Sequence, residues 1–264
     1  MVYPIVTLVA VSRPMVGSEP ERLSLLAIKV SQGRLHKRTW HHYVEDYPRE
    51  RVREWLSKAL EFPSVLEHVV FTFLIQGVSR VCSHQLVRHR IASYTQESLR
   101  YSEGYARDVV EAARRMLVRD VGFEEWFVSN MSDYEVLRVF LELATENEVI
   151  KVAEVGFVLP RASDRDRLLA AVSYLRSLMM FYELVGRGVS FEEARYVLPQ
   201  SIRTDLLMTV NLRELLHIAS VRLSPRAHWE IREVVKRMVE EASRHVPIVK
   251  ELADKVVGEV GGEG

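Results

Sequence analysis

Val65-Leu-Glu-His-Val-Val-Phe-Thr-Phe-Leu-Ile-Gln76 is followed, after one glycine, by Val78-Ser-Arg-Val-Cys-Ser-His-Gln-Leu-Val-Arg-His89. The first stretch reads as a short cap running into a buried strand, being rich in β-branched and aromatic residues. The second reads as a helix, with Val81, Cys82, Gln85 and Leu86 along it. A strand feeding a helix, in a chain that is otherwise mainly helical, argues for an α+β fold.

Beyond that helix lies the run Arg88-His89-Arg90-Ile91-Ala92-Ser93-Tyr94-Thr95-Gln96-Glu97-Ser98-Leu99-Arg100, expected at the helix end and in the loop after it. Adjacent basic side chains next to a buried segment are costly unless an anion or carboxylates meet them. Arginine forks match phosphate oxygens, and Ser and Thr add hydroxyl donors. Gln85 precedes Arg88 by three residues and shares its helix face. Spacing leaves two readings open: a site for a phosphate-bearing ligand, or a solvated cationic loop paired to Glu97 and Glu103.

Outward from this centre, Val2 to Val11 reads as a strand and Glu19 to Val30 as a helix closed by Gly33. A basic, aromatic patch follows at Arg34, His36, Lys37, Arg38, Trp40, His41 and His42, a ligand contact or plain surface. Asp46-Tyr47-Pro48 caps a helix to about Leu60. Further helices are expected over 108–120, 133–157, 162–185, 190–197, 203–223 and 225–246, with a last piece to Val257. With no repeat and no long linker, residues 1–257 read as one catalytic α+β domain and 258–264 as a flexible tail.

The 264 residues carry 36 basic and 36 acidic side chains, a balance that disfavours a general nucleic-acid coat. Cys82 is the single cysteine, which rules out an internal disulfide and a zinc site built on cysteine pairs. No stretch supplies the roughly 18 uncharged apolar residues of a spanning helix. The expectation is a cytoplasmic protein with neither membrane nor nucleic acid as partner.

A second polar group, Arg195, Asn211, Arg213, His217 and Arg222, lies in an otherwise apolar region. On a single helix Asn211 and Arg222 would share an angular position, and Arg213 and His217 another face. Pairing with Glu214, Glu230 or a distant carboxylate is the structural alternative. His68 alone does not make a ligand site, no metal site is expected, and dinucleotide, Walker and serine-elbow patterns are missing.

Taken together, these residues give the chain a resemblance to the flavin-dependent thymidylate synthases. Their hallmark is Arg-His-Arg, any two residues, Ser, any four, Ser, any one, Arg; here it stands in full as Arg88-His89-Arg90, Ser93, Ser98 and Arg100. Further similar blocks are Ser64 to His68 with Phe71-Thr-Phe73, Arg195 to Pro199, Thr209 to His217, Arg222, and Ala227 to Arg232, in family order across most of 60–235.

The resemblance implies a mixed sheet with long packed helices and a homotetramer with sites formed between subunits. It implies methylation of dUMP to dTMP, with methylenetetrahydrofolate as one-carbon donor, reduced FAD as hydride source and NADPH as reductant. By the same resemblance Gln85, Arg88, Gln96, Ser98, Leu99, Arg100, Arg195 and Arg222 bind substrate, and Arg222, Arg88 and Ser98 are the catalytic set. Ser64, Arg88, His89, Arg90, Gln96, Asn211, Arg213 and His217 bind the cofactor. Three positions depart from many relatives: Phe62 replaces a histidine, and Gln96 and His217 stand where some have Glu and Asn. A nucleic-acid module and an oligomer without catalysis are the rival readings.

Overall fold

The computed structural model describes residues 4–261. In chain order it contains β1 (Ile5–Val11), α1 (Arg22–Ser31), α2 (Arg49–Leu56), β2 (Val70–Ser79), α3 (Arg80–Leu86), β3 (Ala92–Gln96), α4 (Tyr105–Arg119), α5 (Glu125–Ser129), α6 (Asp133–Leu143), α7 (Glu146–Gly156), α8 (Asp164–Gly186), α9 (Phe191–Ala194), β4 (Arg203–Asn211), α10 (Leu212–Arg222), α11 (Trp229–His245) and α12 (Ile248–Gly261). The strands form one sheet in the order β1-β2-β4-β3, giving the α+β class the sequence indicates.

Where one domain is expected over 1–257, the chain forms two compact units whose segments alternate along the sequence. The first comprises Met1–Gln76, His84–Thr95 and Leu206–Gly264; the second comprises Gly77–Ser83 and Gln96–Asp205. Helix α12 continues to Gly261, so residues 258–261 are helical where a tail was expected, and 262–264 lie outside the described residues.

In the first unit β1 and β2 pair antiparallel from Ile5↔Gln76 to Val11↔Phe71, with an irregularity between Leu8 and Ala10. Phe71, Phe73 and Ile75 of β2 are fully buried, as period-two side chains on one sheet face should be. Helix α11 packs on β1, and α10 packs on α11 and α12. Thr72 and Thr209 hydroxyls meet at 3.1 Å, and Leu212 N donates to Val69 O at 2.8 Å where β4 passes into α10.

The region 203–223, expected as one helix, is therefore a strand joined to a helix with no loop between them. Thr204, Leu206, Met208 and Val210 are the buried residues of β4, which is alternation, but Leu207 between them is apolar and 40% exposed and hides the period. The expected angular match of Asn211 with Arg222 fails for the same reason. Asn211 ends the strand and caps α10, its Oδ1 accepting from Glu214 N at 2.8 Å. Strand β3 is likewise unexpected: part of the basic run is extended chain rather than loop.

The second unit is a helical bundle in which α4 packs on α6 and α7, and α8 packs on α6 and α7. Val110, Ala113, Leu117, Leu137, Phe140, Ala153, Leu175 and Leu178 are core residues. The helix expected over 133–157 breaks between α6 and α7, where Thr145 and Glu148 form a capping box that starts a new helix. At Gly156 an added Cβ would lie 2.7 Å from Tyr105 O, so the α4–α7 approach depends on that glycine. Helix α8 is long and apolar enough by length and composition to cross a membrane, and in this bundle it packs on α6, α7 and α9.

Candidate functional site

The Arg-His-Arg triplet separates by burial. His89 is 7% exposed, whereas Arg88 and Arg90 face solvent with no ion pair among the described residues. The local fold dictates this split. After α3 the backbone turns, His89 N donating to Leu86 O at 3.0 Å. The Tyr94 hydroxyl on β3 then clamps the turn, 2.8 Å from Leu86 O and 2.9 Å from His89 O. Burial, with Glu214 nearby, pushes the Tyr94 phenol pKa up, which keeps its donor proton in place.

Inside the first unit His89 meets α10. Arg222, the last residue of that helix, donates from Nε to His89 Nε2 at 3.0 Å and from Nη2 to Gln85 O at 3.5 Å. On the other side of the ring, Glu214 Oε1 lies 3.7 Å from His89 Nδ1, and Glu214 is 6% exposed. Burial, then the Arg222 charge and His217, lowers the His89 pKa to about 4, so the imidazole is neutral. Burial raises the Glu214 carboxyl, opposed by His217 and Arg213.

Arg213 and His217 share one face of α10, as their four-residue spacing predicts; that face is exposed, and Arg213 pairs with Glu67. The His217 ring lies 6.0 Å from His89, edge-on. Ser64 is exposed in the short turn Pro63–His68, after the partly exposed Phe62. Ligand atoms of His89, Glu214 and His217 lie within 4.8 Å of one another, a spacing a metal ion could use. Arg222 already occupies Nε2 of the same imidazole, and its fixed positive charge opposes a further cation there.

The second unit carries its own polar group. Gln96 Nε2 donates to Ser83 Oγ at 3.0 Å and to Thr204 Oγ1 at 3.3 Å. Leu99 is buried, and Ser98 Oγ accepts from Arg100 N at 3.3 Å. Arg100 forks onto Glu192, with Nε–Oε1 at 2.8 Å and Nη2–Oε2 at 3.1 Å, while Arg195 Nε donates to Glu192 O at 3.0 Å. Glu192 thus holds both arginines, one by its side chain and one by its backbone. Glu97 and Glu103, proposed from sequence as partners of the basic run, engage Ser102 at 3.4 Å and Arg107 at 3.9 Å respectively.

Arg80 was not anticipated. Its Nη2 donates to Glu97 O at 3.1 Å, its Nε is buried without a hydrogen-bond partner, and burial lowers its pKa while Glu97 opposes that shift. Arg195 adds a repulsive charge to it, so two guanidinium groups share this neighbourhood. Arg80 lies eight residues before Arg88 in a stretch read as plain helix, and nothing in its spacing marked it. Glu192 and Glu214 were equally silent as site residues, Glu214 being weighed only as an ion-pair partner.

Comparison with known proteins places most of the chain beside one family. The family model described as thymidylate synthase complementing protein matches residues 12–248. The flavin-dependent thymidylate synthase of Aeropyrum pernix is 37% identical over 241 residues, covering 86% of this chain and 72% of that protein. That of Pyrococcus furiosus is 38% identical over 193 residues, covering 71% of this chain; the match spans 61% of the pyrococcal protein's length. Among solved structures, thymidylate synthase X of Helicobacter pylori with FAD and dUMP superposes with a TM-score of 0.66 at 18% identity, covering 97% of this chain and 99% of that one. A UMP/dUMP methylase of Streptomyces cacaoi bound with 5-Br dUMP gives 0.61 at 20% identity, covering 95% and 94%. The two structural likenesses are likenesses of fold.

Proposed function

The chain belongs to the flavin-dependent thymidylate synthase family, and from that premise we propose that it converts dUMP to dTMP, with FAD as cofactor, methylenetetrahydrofolate as one-carbon donor and NADPH as reductant. The observation that carries this reading is the division of labour in the Arg-His-Arg triplet. His89 turns inward to hold Arg222, while Arg88 and Arg90 stay exposed and free of carboxylates among the described residues. Unpaired guanidinium groups fit an anionic ligand far better than a packing role.

In this reading Gln85, Arg88, Gln96, Ser98, Leu99, Arg100, Arg195 and Arg222 bind dUMP. Arg222 is the electrostatic catalyst. Its Nε is committed to His89 and its Nη2 reaches Gln85 O, which fixes the plane of the guanidinium and leaves Nη1 to meet a pyrimidine carbonyl. Negative charge pushed onto that carbonyl as C5 attacks the one-carbon unit would be stabilised there. Arg88 and Ser98 anchor the nucleotide, and the buried Cys82 takes no part.

The residues present fit FAD. Exposed Arg88 and Arg90 offer donors for its phosphates, and Arg213 and His217 share one exposed face of α10 behind the Asn211 cap. Ser64 and Gln96 complete the flavin set, and His89, its ring nitrogens turned to Arg222 and Glu214, belongs to it through its backbone and its hold on Arg222. Bound and reduced, FAD supplies the hydride that completes the methyl group. A homotetramer with sites completed by neighbouring subunits belongs to the same proposal.

The test is anaerobic turnover of the purified protein with dUMP labelled by tritium at C5, methylenetetrahydrofolate, FAD and NADPH. Tritium release together with dTMP formation is expected. A protein that binds FAD and forms no dTMP refutes the reading. Replacing NADPH by chemically reduced FAD separates the reductant from the methylation, and light scattering tests the tetramer.

A further inference from the structure

Glu214 is a carboxylate in an expensive position. It is 6% exposed, its backbone N–H is used by the Asn211 cap, and Arg213 beside it turns outward to Glu67. A buried carboxyl group that is not packing filler needs a donor to justify its desolvation. Two imidazoles stand beside it: the Nδ1 edge of buried His89 at 3.7 Å, a close ion-pair distance longer than a direct hydrogen bond, and His217 on the exposed face of α10, its ligand atom within 4.8 Å.

The protonation pattern of that ring follows from its other partner. Arg222 Nε can only donate, and it points at His89 Nε2 from 3.0 Å. Nε2 must therefore carry the lone pair, and the proton of the neutral ring must sit on Nδ1, the atom turned toward Glu214. With a proton on Nε2 instead, two N–H groups would face each other and the Arg222 contact would be lost.

We propose that Glu214 is a positioning residue: it holds the Nδ1–H form of His89, and through that ring it orients Arg222 toward the substrate pyrimidine. This deepens the reading above and rests on it for the role of Arg222. The chain Glu214–His89–Arg222 has the form of a carboxylate setting the tautomer of a histidine whose other nitrogen serves the active group. Helix geometry supports it: Glu214 stands in the first turn of α10 and Arg222 ends the same helix, and the buried ring bridges the two.

The experiment compares Glu214→Gln and Glu214→Leu in the FAD-loaded protein, reading dUMP KM, kcat and the tautomer of His89 by nitrogen-15 imidazole NMR. Gln keeps an acceptor and should leave both readouts close to those of the parent. Leu removes the acceptor; dUMP KM should rise about tenfold or more with a smaller change in kcat, and the Nε2–H tautomer should appear. Unchanged KM and tautomer in Glu214→Leu overturn the proposal, as does Glu214→Gln being as impaired as Glu214→Leu. If the leucine variant does not fold, the parent decides, since a parent His89 protonated on Nε2 also overturns it. A parent that shows the Nδ1–H tautomer but makes no dTMP sinks the enzymatic reading while leaving the relay standing.

Discussion

Arg222 reaches from the end of α10 to the middle residue of the Arg-His-Arg triplet, Nε to Nε2 at 3.0 Å, and so ties the family's hallmark to the helix that follows β4. A histidine in that triplet is thereby a support for a guanidinium and not a surface charge.

Replacing Arg222 by Lys should therefore be severe despite the retained charge. An ammonium cannot donate to His89 and present a planar fork to a ligand together. Affinity for dUMP should fall about ten- to a hundredfold, measured by the flavin spectral change on titration with dUMP.

Arg88→Ala and Arg90→Ala remove exposed side chains with no ion pairs among the described residues. Melting temperature should stay within about one or two degrees of the parent, since exposed substitutions cost little. FAD retained through gel filtration should drop in both, and dUMP binding should weaken more for Arg88→Ala. Unchanged flavin content in both variants would remove these arginines from the cofactor set.

Acid should destabilise the fold through His89. Its folded pKa is about 4 against an ordinary 6.5, so the unfolded chain binds more protons between those values. This contribution to stability is whole above the ordinary value and declines as pH falls toward the folded one. Glu214, whose pKa is raised above the ordinary 4.5, works in the opposite sense above that value and offsets part of the loss. Melting curves across that window should show a steeper loss for the parent than for His89→Gln, which keeps Glu214 and has no imidazole to protonate.

Tyr94→Phe deletes the hydroxyl shared between Leu86 O and His89 O; Leu86 O keeps the His89 N–H, while His89 O loses its Tyr94 donor. The expected cost is about 1–3 kcal/mol in denaturant unfolding. Loosening of the His89 turn should also raise dUMP KM, a change that a purely global loss of stability would not produce at low temperature.

Gly156→Ala should be destabilising although alanine favours helix, because the methyl would meet Tyr105 O at 2.7 Å. Forcing α4 and α7 apart costs about 1–3 kcal/mol. Chemical denaturation measures it, and a neutral or stabilising outcome would show that the bundle relaxes there.

Much of the candidate site could be read from residue order because it is a matter of side-chain identity at fixed spacing. Arg88 to Arg100 and Arg213 with His217 needed no fold to be noticed, and the shared face of the latter two on α10 followed from four-residue spacing; that it is the exposed face is a matter of packing. The fold was less legible where apolar residues occupy both faces. Leu207 is exposed in β4, so the strand reads in sequence as the start of a helix, and Ser93 to Gln96 are too polar and too short to announce β3. Glu192 and Arg80 carry no mark in the sequence, and Glu214 reads there only as an ion-pair partner, for a different reason. A charged residue on a helix is ordinary until burial and a partner are known, and those are properties of packing.

The seamless passage from β4 to α10 at Asn211–Leu212 leaves no spare residue to absorb a change in chain length. Adding or deleting one residue in β4 would exchange its two faces, and doing so within α10 would swing Arg222 by about 100° around the helix axis. Insertions and deletions in this part of the chain are therefore tolerable only after Arg222, which makes the span from Arg203 to Arg222 a ruler of fixed length, whatever substitutions it accepts.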